Sequence, residues 1–345
     1  MAFEPTQRVP LGHSGLSLTR LGLGGAAIGG VYDTVDERDG LATVERAWEL
    51  GVRYFDVAPL YGYGTAERLV ARSLAGHPRD DYVISTKVGR LVRRVDEIEP
   101  GATVDVHAFG DHRDTGLKQD TGYRVVFDYG RDGILRSIDE SLTRLGLDRI
   151  DILFIHDPDE HWAAAIGEAY PTLHRLREQG VVRAIGAGMN QSAMLTRFAR
   201  EGDFDVFLLA GRYTLLDQDA LAELLPTCLE RNVAVVIGGA MNSGILAAPA
   251  QDGRFNYGPP PSEIVQRARR LAAVCDRHGV PLKAAAIQFP LAHPAVKSLV
   301  AGVARVAHLD EYPAYLRRPI PDDLWTELRL EGLLPPDAPV PTESG

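Results

Sequence analysis

Eight short apolar runs recur along this 345-residue chain, most of them followed by a turn and a helical pattern, and that alternation restricts the fold more than any other feature. The runs cover residues 18–23, 54–57, 82–86, 151–155, 182–186, 206–209, 233–237 and 296–301. Most are continuous rather than alternating, the form a strand takes when both faces of a parallel sheet are covered. Between them lie amphipathic stretches such as ERDGLATVERAWELG, GILRSIDESLTRLGL and EIVQRARRLAAVCDRHG, several closed by the glycine that commonly ends a helix. The pattern predicts an α/β fold, a (β/α)8 TIM barrel forming a single domain over residues 1–345, with a doubly wound sheet as the competing arrangement.

Ahead of this repeat, RVPLGHSGLSLTRL (8–21) alternates around Gly-His-Ser-Gly and predicts an N-terminal β-hairpin. Two segments exceed an ordinary strand-to-helix connection. Residues 90–131 follow the third strand, so they form a long loop over the C-terminal mouth of the predicted barrel. A second mouth loop is ILAAPAQDGRFNYGPPPSEI, after Gly244. The stretch 334–345, LPPDAPVPTESG, is expected to fray as a flexible tail.

Composition narrows the function classes. Hydrophobic residues at 45% and charged residues at 24% suit a soluble globular enzyme. A net charge of -10 argues against nucleic acid and against an anionic membrane surface as partners, since both repel it. Cys228 and Cys275 stand apart without a CxxC or Cys/His cluster, so neither a disulfide framework nor structural zinc is expected. His107, Asp111, His112 and Asp114 share the 90–131 loop, but such a cluster reads as solvated surface, and no metal is expected. No run of about 18 apolar residues could span a bilayer, and the N-terminus lacks a signal-like core; a cytoplasmic enzyme is the expectation.

Barrel chemistry sits at the C-terminal ends of the strands. There the second run supplies Asp56 and, on its loop, Tyr61; the third supplies Lys87; the fourth supplies His156. A barrel has no structural need for four ionisable groups at one mouth. Tyrosine, with a pKa of about 10, works as an acid or base near neutrality only if a cation favours the phenolate. Lys87 is the candidate for that charge, Asp56 for holding Lys87, and His156 for orienting the substrate oxygen. Such a set moves a proton on a hydroxyl or carbonyl oxygen. It contains no nucleophile-base pair and no metal cage. Proton transfer of this kind accompanies hydride transfer, which requires a cofactor.

GLGGAAIGG (22–30) imitates a dinucleotide fingerprint but is followed by loop rather than a βαβ unit. Its glycines, Gly24 among them, serve better to let the backbone approach a ligand at the end of the first strand. Trp162, Phe109, Tyr129 and Phe255 are candidates for the substrate-pocket wall.

YFDVAPLYGYGTAE, VISTKVG, LDRIDILFIHDPD and IGAGMN, in that order over nearly the whole chain, resemble the aldo-keto reductases. The resemblance implies a (β/α)8 barrel closed below by the hairpin. It implies a nicotinamide cofactor lying across the top, and a catalytic tetrad of Asp56, Tyr61, Lys87 and His156 with Tyr61 as the acid or base. Recognition of the nicotinamide amide falls on Asn190, although the serine that usually precedes it is Met189 here. The family's strand-six glutamine falls near Ala210. Its stacking tyrosine falls near Gly238, in VVIGGAMNSGIL, which also holds Asn242 as a candidate cofactor contact. Gly302 and His308 occupy the places where NADP-preferring members carry lysine and arginine. That implies NAD, with NADP kept open by Arg305, while amides of a helix starting at Val303 suit a pyrophosphate. FDVAPLYGYGTAERLVARSLAG and NSGIL look most like the sugar 1-dehydrogenases of the D-threo-aldose, L-fucose and L-galactose type, and a pyridoxal 4-dehydrogenase branch is similar. The implied reaction is oxidation of a cyclic hemiacetal carbon to a lactone. An NADPH-dependent aldehyde reductase and a non-catalytic nicotinamide-binding subunit are the alternatives.

Overall fold

A barrel strand must offer one face to the interior and the other to the surrounding helices, and the two-residue alternation of side chains along a strand does this. The structure, a computed structural model, describes residues 3–105, 122–250 and 253–342. Its strands are β1 (Arg8–Pro10), β2 (Ser17–Thr19), β3 (Leu21–Gly24), β4 (Tyr54–Asp56), β5 (Val83–Val88), β6 (Arg90–Arg94), β7 (Tyr123–Phe127), β8 (Ile152–His156), β9 (Ala184–Met189), β10 (Val206–Ala210), β11 (Ala234–Gly238) and β12 (Val296–Ala301). Eight of them, in the order β3-β4-β5-β8-β9-β10-β11-β12, form a closed parallel barrel in which β12 returns to β3 through Leu299 opposite Leu21. The doubly wound alternative is thereby excluded.

Inward and outward residues sort as the alternation requires. Tyr54, Val83, Ile152, Phe154, Val206 and Leu208 fill the interior. Phe55, Ile84, Leu153, Ile155, Phe207 and Leu209 face the helices. The antiparallel hairpin β1–β2 lies under the barrel, and its Leu11, Leu16 and Leu18, all buried, join the interior cluster and close the lower end. Burying each leucine contributes about 1.5–3 kcal/mol.

The predicted run 18–23 is two strands rather than one. Ser17–Thr19 pairs with the hairpin and Leu21–Gly24 with the barrel, and Arg20 turns the chain between them. Ser298 Oγ holds that turn by donating to the Thr19 carbonyl at 2.8 Å. The helix Leu282–Leu291 escapes an amphipathic search because residues 284–291 are all buried, so it has no polar face to set a period.

The long insertion after the third barrel strand contributes two strands. β6 and β7 pair as an antiparallel ribbon, with Arg90 opposite Phe127. Residues 107, 109, 111, 112 and 114, named above, lie outside the described residues. The expectation of a frayed tail needs correction for residues 334–342: Leu334 and Ala338 are buried, and Arg329 Nη2 donates to the Ala338 carbonyl at 2.8 Å. Apolar burial ties this segment down where its proline content suggested fraying. Among the described residues no helix is long and apolar enough to cross a membrane.

Candidate active site

The alternation that fills the barrel also delivers the chemistry. Asp56 follows inward Tyr54, Lys87 follows inward Val83 and Ser85, and His156 follows inward Ile152 and Phe154, so all three point into the upper end. They are almost wholly buried, Lys87 at 1% exposure. A buried ammonium is tolerable only if paired and hydrogen-bonded. Lys87 Nζ donates to Asp56 Oδ2 at 2.7 Å and to the Val57 carbonyl at 2.9 Å. Asp56 Oδ1 accepts from Ser85 Oγ at 2.7 Å, and Ser85 Oγ lies 3.1 Å from the Tyr54 hydroxyl.

Tyr61 reaches the same place from the loop between β4 and the helix Thr65–Leu74. Consecutive turns wind the chain there, with Tyr61 N donating to the Ala58 carbonyl and Gly64 N to the Pro59 carbonyl at 2.7 Å. Gly62 has φ +65°, and a Cβ on it would lie 2.4 Å from the Gly29 carbonyl oxygen. Gly29 answers from the other side: its own Cβ would lie 2.7 Å from the Tyr61 carbonyl carbon. Two glycines at van der Waals contact therefore hold the tyrosine over the barrel. Gly29→Ala is expected to push this turn outward and lower kcat/KM by up to about a hundredfold, with the far-UV circular dichroism spectrum unchanged; undiminished kcat/KM would show that the turn gives way without moving the phenol.

The four groups converge. Lys87 Nζ stands 4.7 Å from the centroid of the Tyr61 ring, and the Tyr61 and His156 rings meet edge to face at 6.0 Å. The Tyr61 hydroxyl makes no hydrogen bond among the described residues, so it is free for a ligand oxygen. The electrostatics differ from the sequence expectation in one respect. Burial, then Asp56 and Asp157, push the Tyr61 phenol well above its ordinary value. The charge of Lys87 is offset by Asp56 at 2.7 Å and does not outweigh them. Tyr61 thus rests as the protonated phenol. His156 is held neutral: burial, then Arg90 and Lys87, push it well below the usual histidine range.

A second charged set, not foreseen, adjoins the first. Arg90, 5% exposed, donates from Nη1 to Asp157 Oδ2 at 2.7 Å and pairs through Nη2 with Asp105. Tyr129, read from sequence as pocket wall, instead donates its hydroxyl to the carbonyls of His156 at 2.6 Å and Asp157 at 3.1 Å. It is a prop under the histidine. Trp162 is likewise packing, against Phe198 and beneath Arg197. Phe255 closes a turn with Gly258 at the edge of the outer core.

Across from these groups the mouth is nearly bare of side chains. The last inward positions of β3, β9, β10 and β11 are Gly24, Gly188, Ala210 and Gly238. A Cβ at Gly24, Gly188 or Gly238 would meet nothing closer than 3.4 Å, so packing does not demand glycine there. What the glycines leave is room for a flat ligand group. The second mouth loop spans this sector. Arg254 pairs with Asp33 at 3.1 Å, Tyr257 stacks on Tyr32 at 5.7 Å, and Arg212 donates to Asn256 at 3.1 Å. Asn190 lies against the Tyr257 phenol, which places that asparagine at the rim.

The remaining cofactor candidates divide. Asn242 is 3% exposed and spends its amide on the fold, accepting from Thr214 at 2.7 Å and donating to the Gly211 carbonyl at 3.1 Å, so its side chain is not open to a cofactor. The last helix of the barrel starts at Val306 rather than Val303, with Arg305 as its N-cap. Arg305 and His308 are exposed beside it and have no carboxylate partner among the described residues. Gly302 faces open space. A guanidinium, first-turn amides and an unfilled glycine form a donor set that fits a phosphate-bearing nucleotide.

Comparison with known proteins agrees with the geometry. The model of the aldo/keto reductase family matches residues 20–330. A D-threo-aldose 1-dehydrogenase of Pseudomonas sp is 43% identical over 325 residues, 93% of this chain and 96% of the relative. A pyridoxal 4-dehydrogenase of Microbacterium luteolum is 41% identical over 345 residues, 97% of this chain and 100% of the relative. A solved aldo-keto reductase of Bacillus halodurans, in its holo form, superposes with a TM-score of 0.73 at 23% identity over 98% of this chain and 99% of that one, a likeness of fold.

Proposed function

We propose, starting from the fact that this chain belongs to the aldo/keto reductase family and is an oxidoreductase acting on a CH–OH or carbonyl group, that it oxidises the hemiacetal carbon of an aldose to a lactone with NAD. Candidate substrates are L-fucose, L-galactose and D-arabinose. The observation that carries the reading is the unbonded Tyr61 hydroxyl set between the Lys87–Asp56 pair and neutral His156, facing a sector cleared of side chains. In that setting Tyr61, once it has given up its own proton, takes the proton from the substrate hydroxyl, and His156 orients the same oxygen. A bound nicotinamide nucleotide supplies the hydride acceptor. Asn190, Arg305 and the amides at the start of the helix Val306–Arg317 are the groups that would hold it, with Gly24, Gly238 and Gly302 leaving it space.

NAD is preferred over NADP in this reading because Gly302 and His308 supply no guanidinium or ammonium at the places where a 2′-phosphate is held, which leaves Arg305 to serve it alone. Pyridoxal is the second reading, supported by a relative of that activity matching over its full length. It too presents a ring hemiacetal, so the same residues would act on it. The test is the initial rate of NADH formation by purified protein with NAD, the three sugars and pyridoxal, repeated with NADP. Turnover of an aldose is expected, with kcat/KM at least about tenfold higher with NAD than with NADP. Activity confined to NADPH-dependent reduction of simple aldehydes would overturn the reading.

A further inference from the structure

Asp157 directly follows the catalytic histidine, in a backbone conformation that aspartate seldom adopts, φ +41°. Two bonds impose it: Asp157 N donates to the Gly188 carbonyl at 3.0 Å, and its own carbonyl accepts from Tyr129 at 3.1 Å. The chain is thus held so that the side chain turns back toward the barrel mouth, where it is 21% exposed while its neighbours are closed off. Its two oxygens are used unequally. Oδ2 takes the Arg90 guanidinium at 2.7 Å and lies 3.5 Å from His156 Nε2. Oδ1 accepts no hydrogen bond among the described residues. An acceptor left open at a partly exposed position beside a catalytic group is available to a ligand hydroxyl.

We propose that Asp157 Oδ1 is the acceptor for a second substrate hydroxyl, the one on the carbon next to the reacting carbon, and so selects hydroxylated aldehydes and sugars over plain ones. The proposal rests on the sugar reading given above. Burial pushes the Asp157 carboxyl up to about 6, the Arg90 charge opposing it, so the group is ionised at neutral pH and accepts hydrogen bonds only. Arg90 keeps the carboxylate in place, and its pairing with Asp105 holds the guanidinium when Asp157 is neutralised.

A pair of sugars tests this. D-arabinose and 2-deoxy-D-ribose differ in the one hydroxyl at issue, and a site built to bond a hydroxyl discriminates strongly against the analogue that lacks it. The unaltered protein is expected to prefer arabinose in kcat/KM by about tenfold or more, and Asp157→Ala, which removes the acceptor outright, to bring the ratio of the two close to unity. The loss of charge beside Tyr61 and His156 acts on both sugars alike and cancels in the ratio. Continued turnover of the deoxy sugar reports that the variant is folded. An unchanged ratio in Asp157→Ala, whether or not both rates fall, overturns the proposal and leaves Asp157 a structural partner of Arg90. Failure of the unaltered protein to turn over any aldose would instead overturn the sugar reading, and this acceptor with it.

Discussion

Tyr61→Phe is expected to lower kcat by about a hundred- to ten-thousand-fold, the usual contribution of a positioned acid-base group, while the affinity for nicotinamide nucleotide changes little. The substitution removes one oxygen that is free of hydrogen bonds and leaves the ring that packs edge to face with His156 and under Lys87. Fluorescence titration with cofactor beside steady-state rates separates the two quantities. The pH profile gives a second check. Burial holds the phenol above its ordinary value, so the base form needed for oxidation is scarce at neutral pH. The oxidative rate should therefore climb by about tenfold per pH unit below the phenol's pKa, and the variant should lose that climb. A variant that keeps near-normal kcat would place the acid-base group elsewhere.

Stability should respond most to a residue outside the tetrad. Glu67, on the helix Thr65–Leu74, is fully buried and accepts from Thr86 Oγ1 at 2.9 Å while pairing with the Arg144 guanidinium. Removing one partner of a buried ion pair strands the other, a loss of about 3–5 kcal/mol. Glu67→Ala is expected to cost that much in urea unfolding, a large part of the 5–15 kcal/mol or so by which a domain is stable. A loss under about 1 kcal/mol would mean that Arg144 finds water and that the pair behaves as a surface one.

These two residues mark what sequence can and cannot disclose. Asp56, Lys87 and His156 are legible because each ends an apolar strand, and strand alternation then fixes which way each side chain points. Tyr61 is legible as a residue, but its proton affinity is not, because that depends on burial and on two aspartates, one of them outside the tetrad. Glu67 with Arg144, and Arg90 with Asp105 and Asp157, join residues far apart in the chain, and no periodicity announces such pairs. Asn242 shows the converse: its position in the family-like stretch suggests a ligand, yet Thr214 and Gly211 claim its amide. The run 18–23 misleads because hairpin and barrel strands follow each other with only Arg20 between them.

The three leucines that close the lower end of the barrel have a consequence for proton traffic. The bonded line from Lys87 through Asp56 and Ser85 ends at the Tyr54 hydroxyl, which makes no further hydrogen bond among the described residues, above the leucines of that floor. Whatever proton Tyr61 takes must leave by the same opening through which the reactants enter. Chemistry and exit share a single door, and an occupied mouth keeps the proton inside until the product has gone.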